Sequence, residues 1–452
     1  MASWQSLPTE LKLSIISILH PDDVDALAKT NQASYQACVP ARFRSIKLNT
    51  FNALTRFIEN VPRRYCASIE TLELATHDED LFVPTHVSLR ERSDAVIALL
   101  SACPRLTSLN LRVAGSIDSS VVSPFPFLSN LKQLSISNVG SEDCTPLSER
   151  LVVAIAASCP NLQELSLDRI TRSELHASDL QGVPYIPLVR GDMDVPDHPL
   201  LGSQLRLPSL LRIPTLRKLT IRDTHLGDEH WSTTPIACRL EVLDLGSCYH
   251  ENEDFNRTCT ERIMAAVGPT VDEFSLTTAV SNDKLFAKPS KTPLQKLRKL
   301  HITPFFPVDS VVETMSNLAG SPIETLALQC YEDDVVDVCS SLEEFLALKL
   351  ERGAEFYEKL KRIDVSVTAA GYSATEEEVK ERTDAAKRLQ DFCRQLRLSS
   401  MIDTYGVPQR PVTSSRRASM SFVVEVGVGA TKNTSTPAPT RPIGKARSMT
   451  LY

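Results

Sequence analysis

"RLTSLNL", residues 105–111, holds leucine at 106, 109 and 111. Leu109 and Leu111 are two apart, so in an extended chain they share one face while Asn110 points the other way. The same phrase returns as "NLKQLSI" from Asn130, "NLQELSL" from Asn161, "TLRKLTI" from Thr215, "RLEVLDL" from Arg239 and "KLRKLHI" from Lys296. Looser copies are Phe43, Ile46, Leu48; Ile69, Leu72, Leu74; Val271, Phe274, Leu276; Ile323, Leu326, Leu328; and Leu360, Ile363, Val365. Each copy predicts a short strand with one apolar face.

Between several copies lie segments with apolar residues at helical spacing. "SDAVIALLSAC" (93–103) and "SERLVVAIAASC" (148–159) align with each other and both run into proline, which disfavours helical backbone in the residue before it and turns the chain toward the next strand. "CTERIMAAVG" (259–268) and "VDSVVETMSNLAG" (308–320) repeat the arrangement. One strand plus one helix recurs roughly every 24 to 37 residues, near the period of leucine-rich repeats. A unit of that size cannot bury both faces alone, whereas stacked units share a continuous core. The expected fold is therefore α/β: a leucine-rich-repeat solenoid with parallel strands on the concave face and helices on the convex face. Its motif leucines are core. The residues that can select a binding partner are polar positions between and beside them, such as Arg112, Asp168, Arg222, Asp244 and Gln329.

The two flanks differ from the repeats. "LPTELKLSIISIL" (7–19) starts a helix, because a proline in the first turn has no N–H to leave unpaired and presets φ. On a helical wheel Leu11, Ile15, Ile18 and Leu19 form one stripe, and Leu13 and Ile16 widen the apolar arc past half a turn. Two short helices follow, one capped by Asp22 or Asp23 and carrying Val24 and Leu27, the other starting near Asn31 with Tyr35, Cys38 and Val39. A three-helix unit of roughly forty residues buries too little of itself to cover that arc. The cover is either the rest of this chain or another protein, and the pattern leaves both open. At the other end, "SATEEEVKERTDAAKRLQDFCRQLR" (373–397) reads as a helix capped by Ser373 or Thr375, with Val379, Leu389, Phe392 and Leu396 as a partial stripe, closing the open end of the solenoid. The reading divides the chain into a helical module (1–41), a solenoid (42–370) with a proline-rich insertion around 171–212, a capping helix (371–398) and a disordered tail (399–452) rich in Ser, Thr, Pro and Arg. The insertion either projects and carries recognition or folds back over the sheet through Tyr185, Ile186 and Leu188.

Composition limits the function classes. With 49 Lys and Arg against 56 Asp and Glu, the formal charge is −7, which argues against general nucleic-acid binding. No run of about twenty apolar residues is present to span a bilayer, and "MASWQSLPTE" lacks the pattern of a secretory signal. The expectation is a soluble protein of the cytoplasm and/or nucleus, with no membrane partner. Its 11 cysteines follow no framework and read as reduced thiols, with Cys103 and Cys159 in the core. Little catalytic chemistry is visible. His225 and His230 in "HLGDEHW" are five apart and do not share a helical face, no C-x-x-C pair occurs, and the acidic pair Glu343 and Glu344 reads as a solvated helix face. "GVGATKNT" in the tail lacks the spacing of a phosphate loop. No catalytic residue, metal or cofactor is expected. "RRAS" (416–419) makes Ser419 a candidate phosphorylation site, and "FVVEV" from Phe422 a candidate strand.

Leu7, Pro8, Glu10, Leu11, Ile15 and Leu19, followed by Asp22, Asp23 and Leu27, resemble an F-box, a three-helix module marked by Leu-Pro, an acidic residue with leucine and then spaced aliphatics. The repeat region is similar to the leucine-rich repeats that follow F-boxes in many eukaryotic, particularly fungal, proteins. The two resemblances cover about residues 4–367. They imply that Leu7, Pro8, Glu10, Leu11, Ile15, Ile16, Leu19 and Leu27 dock on a Skp-family adaptor and through it on a cullin scaffold, while the repeats bind a target protein. Catalysis would then be proximity, the target being held near an activated ubiquitin, and the chain itself would be no enzyme. The alternative is a repeat scaffold for protein–protein interaction with no ligase attached, its first helices serving as a cap.

Overall fold

The computed structural model describes residues 4–77, 87–183, 185–280, 294–368 and 375–403. Twelve strands form one parallel sheet in chain order: β1 (Ser45–Leu48), β2 (Thr71–Ala75), β3 (Ser108–Val113), β4 (Gln133–Asn138), β5 (Glu164–Asp168), β6 (Lys218–Arg222), β7 (Val242–Leu245), β8 (Glu273–Leu276), β9 (Lys299–Ile302), β10 (Thr325–Tyr331), β11 (Arg362–Thr368) and β12 (Ser399–Ile402). Among the described residues every strand pairs only with the strands next to it in sequence, which is the topology of a solenoid.

The motif explains the register. Leu72, Leu109, Leu134, Leu165, Leu219, Leu243, Phe274, Leu300, Leu326 and Ile363 lie side by side on successive strands, and none is more than 2% exposed. The leading residue of each copy, from Ile69 and Leu106 to Ile323 and Leu360, forms a second buried column. One backbone pattern repeats with it: the Lys132 N–H donates to Thr107 O, Gln163 N–H to Lys132 O, and Arg217 N–H to Gln163 O. Most parallel sheets are covered on both faces. This one alternates apolar and polar, so one face packs on helices and the other stays open.

Convex elements vary between coils. Full helices are α4 (Phe51–Asn60), preceded among the longer helices by the amino-terminal three; α6 (Leu89–Leu100); α7 (Glu149–Ser158); α8 (Glu253–Val267); α9 (Val311–Asn317); α10 (Val335–Arg352); and α11 (Glu376–Gln395), with a single turn, α5, at Arg63–Cys66. Ser88 caps α6 in a reciprocal box with Glu91, and Cys159, extended at ψ 109° before Pro160, ends α7 as its proline requires. Cys103 and Cys159 are core, and burial pushes the Cys103 thiol up to about 12.

The amino-terminal helices α1 (Thr9–Ile16), α2 (Pro21–Ala28) and α3 (Gln32–Arg42) have a small core of their own, Ile16, Val24, Ala28 and Cys38. Asn31 caps α3 as expected, its side chain accepting from the Ser34 N–H. The expected Asp22 or Asp23 cap of α2 is displaced: the helix begins at Pro21, and both aspartates sit in its first turn.

Two sequence expectations fail at the carboxyl end. The helix expected to close the array, α11, capped by Thr375 with Glu378, is the convex helix of one more coil, because β12 follows it and pairs with β11. The tail expected to lack order from residue 399 therefore begins with a strand. Ser419 and the Phe422 segment lie outside the described residues.

The insertion does not project freely. Val189, Val195, Leu201, Leu205 and Leu207 are buried, and a 3-10 stretch, Leu207–Arg212, packs on α7 where another coil would place a helix. Two buried arginines hold it. Arg172 pairs with Glu149 (3.1 Å) and Asp228 (2.8 Å), and the Arg150 guanidinium donates to the Asp192 and Val195 carbonyls. Tyr185 points outward, 87% exposed, rather than folding over the sheet.

Candidate docking surfaces

Helix α1 buries one residue, Ile16, and leaves Leu11 (51% exposed), Leu13 (39%) and Ile15 (37%) open, and Ile18 in the turn that follows is 83% exposed. Of the residues expected to dock an adaptor, Pro8, Glu10, Leu11 and Ile15 are exposed and Leu7 is half-buried. Ile16 is a correction: at 2% exposed it belongs to the core of the module and is not available to a partner. Leu19 and Leu27 are half-buried against that same core. Leu13 and Ile18 belong to the open face although they stood outside the expected set; the wheel had placed Ile18 in the stripe.

The opposite side of the module meets the solenoid. Tyr35 and Phe43 stand against Tyr65 with ring centres 6.5 and 5.1 Å apart, and Gln36 Nε2 reaches Tyr65 Oη at 3.5 Å. Both covers weighed from the sequence are thus relevant to different faces: α3 leans on the first coil while the face of α1 stays uncovered among the described residues.

The concave face presents the polar positions. Arg112, Ser137, Asp168 and Arg222 are register neighbours on β3 to β6, and Asp244 follows on β7. Gln329, on β10, lies away from this group and donates to Thr368 (3.0 Å). Much of the charge is already paired: Arg222 with Asp244 (2.7 Å), Lys47 with Glu73 (3.0 Å), His301 with Glu273 (3.0 Å) and Arg362 with Asp364 (2.6 Å). His301 beside Glu273 outweighs burial and, with Lys299, holds that carboxyl at about 2. Asp168 differs. It accepts no hydrogen bond among the described residues, and burial together with the neighbouring Asp223 raises its pKa. Glu142, in the loop after β4, was not legible as a site residue: it takes bonds from Tyr249 Oη (2.9 Å) and His250 Nε2 (2.6 Å), more than a hundred residues on, so no local signal marks it.

The histidine stretch is absorbed into packing. His225 is buried with Nε2 3.1 Å from Glu251, and burial followed by Arg172 lowers its pKa to about 4. Asp228 serves Arg172 and caps the turn at His230. An open cleft of about 930 Å³ lies between the insertion and α8, lined by Arg172, His176, Arg206, Asp228, His230 and Arg262 among others. Among the described residues no group of His, Cys, Asp and Glu is arranged to hold a metal, and no helix is long and apolar enough to cross a membrane.

No protein-family model matches the chain, and no curated protein matches it. The fold stands on its own geometry. It is a leucine-rich-repeat solenoid. Similar solved structures include the complex of Rad7 and Elc1 in yeast, at 16% identity and TM-score 0.34 over 82% of this chain and 92% of the other. Others are the leucine-rich repeat-containing protein LegL7 from Legionella pneumophila (12% identity, TM-score 0.35, 83% and 97%) and the TLR13–ssRNA13 complex (15%, 0.32, 70% and 38%). These similarities are distant, and nothing about partner or activity follows from them.

Proposed function

We propose that the chain is a substrate receptor of a cullin-type ubiquitin ligase, its first helices docking on a Skp-family adaptor and its repeats binding a target protein. The observation that carries this is the open apolar face of α1 and the turn after it, with Leu11, Leu13, Ile15 and Ile18 presented to solvent by a module that has a core of its own and rests on the solenoid by its other side. Apolar side chains clustered in this way mark a protein contact rather than ordinary surface. Target selection falls to the concave face around Arg112, Asp168, Arg222 and Asp244, where burial and the neighbouring Asp223 raise the pKa of Asp168. A scaffold without ligase attachment is the competing assignment, favoured by the aromatic contact of the module with the first coil.

Co-purification with a Skp-family adaptor separates the two. The wild type should bind, and Leu11→Asp with Ile15→Asp should abolish binding while the repeats keep their circular-dichroism signature. A wild type that fails to bind leaves the scaffold assignment standing.

A further inference from the structure

The stretch that fastens the insertion, Leu207–Arg212, is a 3-10 helix, and Arg206 leads into it. Three residues per turn set side chains three apart above one another, so Arg206, Ser209 and Arg212 line one face while Leu207, Leu210 and Leu211 are buried on the other sides. Facing that row are His230, Thr233, Thr234 and Pro235, in and after the 3-10 turn Glu229–Trp231. Between the two walls lies a cleft of about 310 Å³, lined by these residues with Gln204, and it shares Arg206 and His230 with the larger cleft beside it. Both walls, 204–212 and 230–235, are described throughout.

The lining is cationic and rich in donors: two guanidiniums, one imidazole, three hydroxyls and an amide, with no carboxylate among them. Those donors are incompletely used. Arg206 Nη1 stands 2.9 Å from His230 Nδ1, but Arg206 Nε is buried and has no hydrogen-bond partner among the described residues. Asp228 approaches Arg206 only to 4.0 Å and is already bound by Arg172 at 2.8 Å. Arg212 gives Nη1 and Nη2 to the Leu201 and Leu200 carbonyls and forms no ion pair among the described residues. Ser209 is 4% exposed, and among the described residues its hydroxyl and those of Thr233 and Thr234 have no hydrogen-bond partner. A buried donor left unpaired costs free energy that a bound acceptor restores. Two guanidinium forks and three hydroxyls exceed what the two oxygens of a carboxylate can accept. They suit a phosphate, which offers three strong acceptor oxygens and about two negative charges.

We propose that this cleft binds a phosphate group, free or carried on a side chain of a partner protein, with Arg206 and Arg212 holding its charge and Ser209 donating from the floor. The experiment is titration calorimetry of the full chain in excess chloride, with inorganic phosphate and with N-acetyl-phosphoserine amide as probes. At least one probe should bind with Kd below about 10 mM. Arg206→Gln and Ser209→Ala should each weaken it at least about tenfold, while Arg222→Gln, on the concave face, leaves it unchanged. Ser209→Ala removes a single oxygen and stands in if Arg206→Gln disturbs the insertion, and hydrogen exchange of α7 at the wild-type rate shows which variants keep the fold. Tighter binding of the phosphoserine amide assigns the site to a partner's side chain, and tighter binding of inorganic phosphate to a free anion. The proposal is overturned if neither probe binds, or if a variant of the cleft that keeps wild-type exchange in α7 binds undiminished. Loss of binding in Arg222→Gln to the same degree overturns it as well, as does acetate displacing the probe as readily as phosphate does.

Discussion

Replacing Arg172 by methionine tests whether the insertion is held by buried charge. The Arg172 side chain is 2% exposed, and its partners Glu149 and Asp228 are 0% and 3% exposed. Methionine fills much of the volume and donates nothing, so two buried carboxylates lose their shared cation. Removing one partner of a buried pair costs about 3–5 kcal/mol. Two stranded carboxylates argue for the upper half of that range, while the Ser173 N–H on Glu149 (3.0 Å) and the His230 N–H on Asp228 (2.9 Å) return part of it. The expected net loss is about 3–4 kcal/mol. Because a repeat array opens locally, the loss belongs to α7, the insertion and the 224–231 loop, and hydrogen exchange there should accelerate about 10²- to 10³-fold. Arg222→Met is the control. Arg222 also pairs at 2.7 Å, with Asp244, but is 56% exposed, so its loss should stay within about 1 kcal/mol. Acid provides a second check. Burial alone would raise the Glu149 carboxyl, but Arg172 and His176 hold it at about 2. Its contribution is therefore complete above the ordinary carboxylate pKa and disappears as pH falls toward 2. The gap between wild type and variant should narrow over that window. Equal exchange in Arg172→Met and Arg222→Met at neutral pH would refute the reasoning.

Ile16, at the end of α1, and Ile18, in the turn that follows, should behave oppositely. Ile16→Ala removes core atoms and should destabilise the helical module by about 2–4 kcal/mol, whereas Ile18→Ser should change its stability by less than about 0.5 kcal/mol, both read by proteolytic susceptibility of residues 4–42. His225 predicts acid sensitivity. Its folded pKa of about 4 lies below the ordinary 6.5, so its neutral form stabilises the fold above that value and the contribution is lost as pH falls toward 4. Arg172, Asp179, Glu149 and Glu251 act on the ring. Protection factors across 224–231, taken relative to the intrinsic exchange rate at each pH, should fall between pH 6.5 and 4.5 in the wild type and stay flat in His225→Asn.

Much of the architecture was legible because the repeated phrase acts locally. Alternation over three residues assigns the faces of a strand without reference to anything distant, and the looser copies at Ile46, Phe274 and Ile363 fell into the same buried column as the clear ones. β12 escaped because the motif positions there hold Arg397, Ser400 and Ile402. Serine supplies no hydrophobic signal, and it is pairing with β11 that makes the segment a strand. The concave positions were identified as strand residues, but their partners were not, since which charges neutralise each other depends on register between coils.

What the sequence determined by itself was thus the repeat, its parallel strands and the apolar columns, all consequences of short-range periodicity. Tertiary structure alone decided which part of the α1 arc is covered. Ile15 and Ile16 are adjacent and equally apolar, yet α2 and α3 enclose one and leave the other open. It also decided that the insertion is fastened, through ion pairs joining residues 23 and 56 positions apart. Such contacts arise when the coils stack and desolvate the charges together, a condition that no local pattern encodes.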